Sequence, residues 1–573
     1  MRLSTDSLPR KDPGCTLEPS SSRLLVMLRK NRQRFMKHAF DCIVIGGGHN
    51  GLIAAAYLAK SGKSVCLLER RELVGGCTVT EELWPGYHIS TASYVVSLLL
   101  PEIIRDLRLK QNGLEILPRT PSSFTPLLDD RYLLMGPDMG ATCKQIAKFS
   151  RPDAENYPRY TSWLEQVAEK LEPVLAEAAP DPLPLPKSWR KIRSGKRFRD
   201  ARRMWSLYQA MQSLGEELPE SIELITGAVR PLLDRWFESE ILRATLATDG
   251  VIGAFSSISS PGTAYVLLHH VMGEAGGARG VWGYIRGGMG GLALSLEKVC
   301  CELGVEIIRG AEVERIATHN GAVTGVVTSD HRYWTAPVVA SSVDANLTFL
   351  KFLEPSSLPD TFRQAIERID YSSASSKINL TLSEPPRFRA LPTDGIGPHH
   401  HGTMHICPTL DYIERAYADA RAGRPSDEPI LEITLPSSID DTLAPSGKHV
   451  MSIFVQYAPY ELSEGSWDEI KEPFADRCLE VLGRYAPNIP GAVEHRQVLS
   501  PLDLERIYGL TGGNIMQGAM PMHQLFFCRP VPGWADHRTP IGGLFLCGAA
   551  SHPGGGVMGA CGRNAAKEIL RDH

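Results

Sequence analysis

The stretch Asp41-Cys-Ile-Val-Ile-Gly-Gly-Gly-His-Asn-Gly51 limits what this chain can fold into more than any other. Residues 42–45 are a short apolar run, which reads as a buried strand. Residues 52–61 carry helical spacing and stop at Gly62. A second apolar run, 65–68, ends at Glu69. Together these predict a βαβ unit of about 30 residues. In such a unit Gly46 permits the tight turn, Gly48 lets a pyrophosphate approach the backbone, and Gly51 lets the helix pack on the sheet. The helix N-terminus offers free N–H groups and a partial positive charge to phosphate. Glu69 should accept hydrogen bonds from an adenosine ribose, and its charge disfavours a 2′-phosphate. Arg70 and Arg71 temper that last preference.

The glycine pattern alone says little. It recurs as Gly554-Gly-Gly556-Val-Met-Gly559, and in relaxed form as Gly288-Met-Gly290-Gly-Leu-Ala293. Only the first copy follows a buried strand, opens a helix, and has an acid about 20 residues on. FAD rather than NAD is expected from two further pieces. The pair Gly75-Gly76 lets backbone pass close to a flavin nucleotide's pyrophosphate. At the other end of the chain, a strand over 543–547 leads through Gly548 to Gly556, Val557 and Met558, then to a helix. A helix opening near 555–559 could aim its positive end at the flavin N1/C2 carbonyl. The cofactor-binding candidates are therefore Ile45, Gly46, Gly47, Gly48, His49, Asn50 and Gly51, then Glu69, Arg70, Gly75 and Gly76. Gly548, Gly556, Val557 and Met558 complete them.

At 573 residues the chain suggests roughly two to four domains. A net charge of −4 gives no global reason to expect nucleic acid. Twelve scattered cysteines without a CxxC pair argue against a disulfide framework. No run reaches the roughly 18 apolar residues of a bilayer span. Residues 1–35 are rich in Arg and Ser; they read as a presequence, a basic tail, or a leader before a true start at Met36. Residues 187–203 interleave nine Lys and Arg with Trp189 and Phe198, ahead of Trp205. That stretch reads as a solvated helical face, or as a patch resting on anionic lipid.

The remaining constellations have plain readings beside the functional ones. His399, His400, His401 and His405 lack metal-ligand spacing, so a loop or cavity lining is expected and no metal. His269 and His270 lie in an apolar helix and read as satisfied core residues. His552, in the turn before Pro553, is the weak catalytic candidate near a flavin; turn structure is its alternative. Cys300 and Cys301 fall inside a predicted helix, where a vicinal redox pair would be strained. No Ser/His/Asp set is identifiable.

The stretches that carry a family resemblance are Val44-Ile-Gly-Gly-Gly-His-Asn-Gly51, Asp249-Gly-Val-Ile-Gly-Ala254, Tyr265-Val-Leu-Leu-His-His-Val-Met272, Trp282-Gly-Tyr-Ile-Arg-Gly-Gly-Met-Gly290, Gly513-Asn-Ile515 and residues 547–566. They resemble the phytoene desaturase branch of the glutathione-reductase-type FAD superfamily, from about residue 41 to the end. The resemblance implies an α/β fold: a Rossmann-like FAD domain with an inserted α+β substrate domain. The implied segments are 39–110, 276–345 and 536–573 for the FAD domain, and 111–275 and 346–535 for the substrate domain, after a leader at 1–38. It also implies a backbone contact from Val313 to adenine. Ala549 departs from the acid that many superfamily members carry after the strand glycine. The implied activity is dehydrogenation or isomerisation of a long apolar, carotenoid- or isoprenoid-like molecule. An amine-oxidase-like enzyme and a non-catalytic prenyl- or lipid-binding protein are the alternatives. The electron acceptor is left open. The expected location is the cytoplasm or a membrane surface for a bacterial chain, the mitochondrial matrix for a eukaryotic one.

Overall fold

The computed structural model describes residues 38–182, 196–275 and 278–573. The 1–35 leader and most of the 187–203 basic stretch lie outside the described residues. Along the chain, β1 (Cys42–Ile45), α1 (His49–Lys60) and β2 (Val65–Leu68) form the opening βαβ unit. Then come β3 (Ser123–Pro126), β4 (Tyr132–Met135), α2 (Arg151–Leu175), α3 (Lys196–Ser213), α4 (Glu240–Thr248), α5 (Thr263–Val271) and α6 (Gly290–Glu302). The second half supplies β5 (Glu306–Ile308), β6 (Val338–Ser341), β7 (Ser375–Leu382), β8 (Thr403–Ile406), β9 (Ile430–Thr434), β10 (His449–Gln456), α7 (Trp467–Tyr485), β11 (Val493–Leu499), β12 (Leu544–Leu546) and α8 (Ala560–Asp572).

Two sheets organise the molecule. The first runs β5-β2-β1-β6-β12, and every pairing in it is parallel. A parallel sheet is covered on both faces, which is why β1, β2 and β6 are buried at every position. Helices α6 and α8 both pack against α1. Residues 313–319 and 322–328 form a hairpin about Asn320-Gly321, with both turn residues at positive φ (50° and 75°) as a type I′ turn requires.

The second sheet runs β11-β7-β10-β9-β8-β3-β4, and only the β8–β3 pairing is parallel. Its strands alternate strictly. Ile378 and Leu380 of β7, Met404 and Ile406 of β8, and Leu431 and Ile433 of β9 join Phe474 and Cys478 of α7 in one apolar core. The opposite face carries Lys377, Asn379 and Thr381, Thr403 and His405, and Glu432 and Thr434. Most of these are buried too. A half-polar sheet normally shows its polar face to water. Here that face is enclosed, so it lines something.

Candidate functional site

What it lines is one continuous cavity of about 760 Å³ that begins at the β1–α1 turn. The turn is built as its glycines demand. Gly46 has φ +89°, and its N–H donates to the Leu68 carbonyl (2.8 Å). A Cβ on Gly51 would lie 2.1 Å from the Gly46 carbonyl oxygen. A Cβ on Gly48 would meet no protein atom nearer than 4.0 Å, so it would fill cavity instead. Gly48 caps α1 without any side-chain hydrogen bond, which leaves the first N–H groups free for an anion. The Gly47 carbonyl accepts from the Gly75 N–H (2.7 Å), and a Cβ on Gly76 would sit 3.1 Å from the Gly48 Cα. The two glycine loops therefore close on each other beside the cavity.

Glu69 is 6% exposed and holds this corner together. One carboxylate oxygen accepts from the Gly47 N–H (2.7 Å), the other from the Arg71 N–H (2.9 Å). Glu69, Arg70 and Arg71 all line the cavity. Arg70 donates to the carbonyls of Arg506 and Ile507, so it braces a distant loop. Arg71 pairs with Glu81 (2.7 Å) and lies over the Tyr508 ring, and its Nη1 is buried without a partner. The His49 Nε2 is likewise buried and unpartnered. Burial pushes the His49 pKa down to about 4. Orphaned polar nitrogens on the wall, beside a turn with free N–H groups, fit the polar half of a dinucleotide. Val313 lines the same stretch. Glu69→Ala is expected to weaken retention of that cofactor about 10- to 100-fold, the worth of a hydrogen bond to a charged group. The flavin-to-protein absorbance ratio after dialysis measures it, and an unchanged ratio would count against the assignment.

The C-terminal candidates divide. Ala549, Gly556 (φ +111°) and Val557 are on the cavity wall. Gly548 instead packs on the residue after β6, where a Cβ would lie 2.1 Å from the Ser342 carbonyl oxygen. Met558 faces a separate small cleft with Leu98 and Tyr265. Helix α8 opens at Ala560 with Gly559 as its N-cap, and its Gly562 abuts the Asn50 backbone of α1. Nor is His552 on the cavity wall. It packs 5.8 Å from the Phe526 ring, and burial holds its pKa near 3. The reason is local: residues 552–554 turn toward Phe526 and Met520, and the wall resumes only at Gly556.

Other histidines come closer. His269 and His270 are satisfied by the Gly555 and Val266 carbonyls, and both also line the cavity. His399 and His400 pack against Phe388, while His405 reaches the cavity. Among the described residues no His/Cys/Asp/Glu group could hold a metal. Cys300 is buried and Cys301 exposed, both as free thiols.

Beyond the turn the cavity reaches the polar sheet face. The strand register aligns His405 with Glu432, Glu432 with Phe454, and Phe454 with Lys377. All four line the cavity, as one row across four strands. At about 4.8 Å per strand, Glu432 lies about 10 Å from Lys377 and His405 about 15 Å. Lys377 is 3% exposed. It donates to the Ser90 (2.8 Å) and Ala92 (2.6 Å) carbonyls and sits 4.7 Å from the Tyr94 ring centre. Among the described residues no carboxylate pairs with it, and burial pushes its pKa well below that of an ordinary lysine. Burial thereby favours the neutral amine, the form that accepts a proton. Lys377, Arg71, Asp249 and Glu432 are absent from the sequence-derived candidates. The available signal was the lysine amid apolar residues in Ser375–Leu382.

Comparison with known proteins agrees with this geometry. Residues 51–570 match the family described as flavin containing amine oxidoreductase. A rat protein, pyridine nucleotide-disulfide oxidoreductase domain-containing protein 2, is 43% identical over 551 residues, 94% of each chain. A lycopene-forming phytoene desaturase from Pseudescherichia vulneris is 22% identical, over 90% of this chain and 96% of its own. Putrescine oxidase, solved with putrescine, has a TM-score of 0.56 at 16% identity, over 93% of this chain and 98% of that one.

Proposed function

We propose, from the premise that this chain belongs to the flavin-containing amine oxidoreductase family, that it removes hydrogen from an elongated, largely apolar substrate. The chain is an oxidoreductase and its cofactor is FAD. FAD, when bound, supplies the hydride acceptor. The protein supplies everything else. The α1 N-terminus and Glu69 hold the nucleotide, and Arg71 and His49 offer unpartnered nitrogens beside it. Lys377, whose burial favours the neutral amine, takes the proton that leaves with the hydride.

The observation that carries this reading is the unbroken cavity, which joins the nucleotide turn to walls of Leu98, Leu164, Leu246, Ile252 and Leu267. Such walls suit a hydrocarbon chain. Purified protein should show flavin absorbance that bleaches with dithionite. It should also bleach anaerobically with polyenes and not with amines. Bleaching by amines alone would favour the amine-oxidising reading, which draws on the aromatic Tyr157, Tyr160 and Trp282 in the same cavity. A colourless preparation, stable without flavin, would favour a non-catalytic lipid-binding role.

The proposal includes a membrane contact. On α3, Phe198 (79% exposed), Trp205 (59%) and Tyr208 (53%) share a face with exposed Arg202. Aromatic rings beside a cation suit an anionic lipid surface. By contrast Arg203 turns inward and pairs with buried Glu568. No helix among the described residues is long and apolar enough to cross a membrane. Phe198→Ala with Trp205→Ala should reduce sedimentation with phosphatidylserine vesicles several-fold. Equal sedimentation of variant and parent would remove α3 from the contact.

A further inference from the structure

The far end of the cavity is chemically unlike its walls. Asp249 follows directly on α4 and lines the cavity. Among the described residues no donor is placed on its carboxylate, and burial raises its pKa. The Tyr160 hydroxyl, on α2, is buried without a partner and feels the Asp249 charge. Glu432 faces the same space, with Thr248 and Tyr94 as hydrogen-bonding neighbours. Arg119 is the nearby fixed cation. It is tied to the Trp282 carbonyl (3.2 Å) and the Thr403 hydroxyl (2.8 Å), with its guanidinium over the Tyr284 ring.

We infer that this end is a hydroxyl subsite, in which Asp249, Glu432 and Tyr160 receive the hydroxyl at one terminus of an otherwise apolar substrate. The inference rests on the elongated-substrate reading above. The charge inventory selects the group. Burial and the neighbouring Asp249 charge push Glu432 up to about 8, so at neutral pH it is an O–H donor. His405 is pushed down to about 3 and stays uncharged. Among the described residues the Asp249 carboxylate receives no donor and the Tyr160 hydroxyl has no partner, with Arg119 and His270 the basic side chains beside Asp249. A substrate carboxylate would set a third acid beside Asp249 and Glu432. An ammonium would set a further cation beside Arg119. A carbonyl brings no proton to the Asp249 carboxylate. A hydroxyl donates to Asp249 and accepts from Glu432 or Tyr160, and so answers each group. Phe454 separates Glu432 from Lys377 in the strand row, so the hydroxyl is held about two strand spacings, roughly 10 Å, from the proton acceptor.

The test titrates oxidised holoenzyme with farnesol, farnesene and farnesylamine, which share one chain and differ at its end. Perturbation of the flavin absorbance reports binding. Farnesol should bind about 10- to 100-fold more tightly than farnesene or farnesylamine, as one hydrogen bond to a charged acceptor implies. Asp249→Ala should bring farnesol to within about threefold of farnesene. Tyr160→Phe, which removes only the unpartnered hydroxyl, should narrow the gap without loss of flavin. Equal binding of farnesol and farnesene by the parent enzyme would overturn the subsite and leave the apolar-substrate reading standing. Tightest binding of farnesylamine would overturn it in favour of a cationic ligand. If a flavin-replete, dithionite-reducible enzyme binds none of the three, the apolar-substrate reading falls, and the subsite with it.

Discussion

Lys377→Met should slow substrate-dependent flavin reduction about 10²- to 10⁴-fold, the usual share of a positioned acid or base, with flavin content unchanged. The side chain is buried on the cavity wall, and among the described residues its only hydrogen-bond partners are two backbone carbonyls. Two pH readouts separate proton transfer from mere packing. In the parent enzyme the rate should rise with pH as Lys377 becomes fully neutral; the variant should lose that limb. Stability should also rise with pH. An unfolded lysine titrates near 10.4, and the folded pKa lies well below that. Below about pH 10.4 the unfolded chain therefore binds more protons here, and the parent loses stability as pH falls toward the folded value. Methionine has no such dependence. The Tm of the variant relative to the parent should be higher near pH 7 than near pH 9. A rate loss under threefold, or a rate loss that merely tracks lost flavin, would remove Lys377 from the chemistry.

Two alanines in one turn should fail for different reasons. Gly51→Ala places a methyl group 2.1 Å from the Gly46 carbonyl oxygen, and the backbone on both sides is fixed by β1 and α1. The turn must open, and overpacking of this kind costs about 3 kcal/mol or more. The expected product is insoluble protein, or soluble protein with a markedly lowered Tm even without flavin. Gly48→Ala meets no protein atom nearer than 4.0 Å. Its flavin-free form should melt within about 2 °C of the parent's, yet it should retain almost no FAD, because the methyl group takes ligand space. If Gly48→Ala keeps a full complement of flavin, the nucleotide does not lie against that turn.

The βαβ unit was legible because its physics is local. Parallel strands buried on both faces leave continuous apolar runs, and β1 and β2 begin and end where those runs do. Glu69 was legible for the same reason, as the residue that ends β2. The row of His405, Glu432, Phe454 and Lys377 was not. Its members come from four strands, and only the register makes them neighbours. In sequence, Ser375–Leu382 alternates like a strand with one face in water, so the lysine among its apolar residues reads as solvated and not as enclosed. His552 shows the reverse error. Its nearness in sequence to Gly556 suggested a shared wall, but the intervening turn carries it out of the cavity.

The parallel sheet has one more consequence, which concerns synthesis. Its strand order places β1 between β2 and β6, with β12 outermost. One of the two helices that pack on α1 is α8, which lies far along the chain from the βαβ unit. During synthesis the βαβ unit is therefore made long before this cover, and that flank stays open until α8 has emerged. Flavin capture is expected only after that point, and a chain cut short of Ala560 should be left colourless to the quality-control machinery.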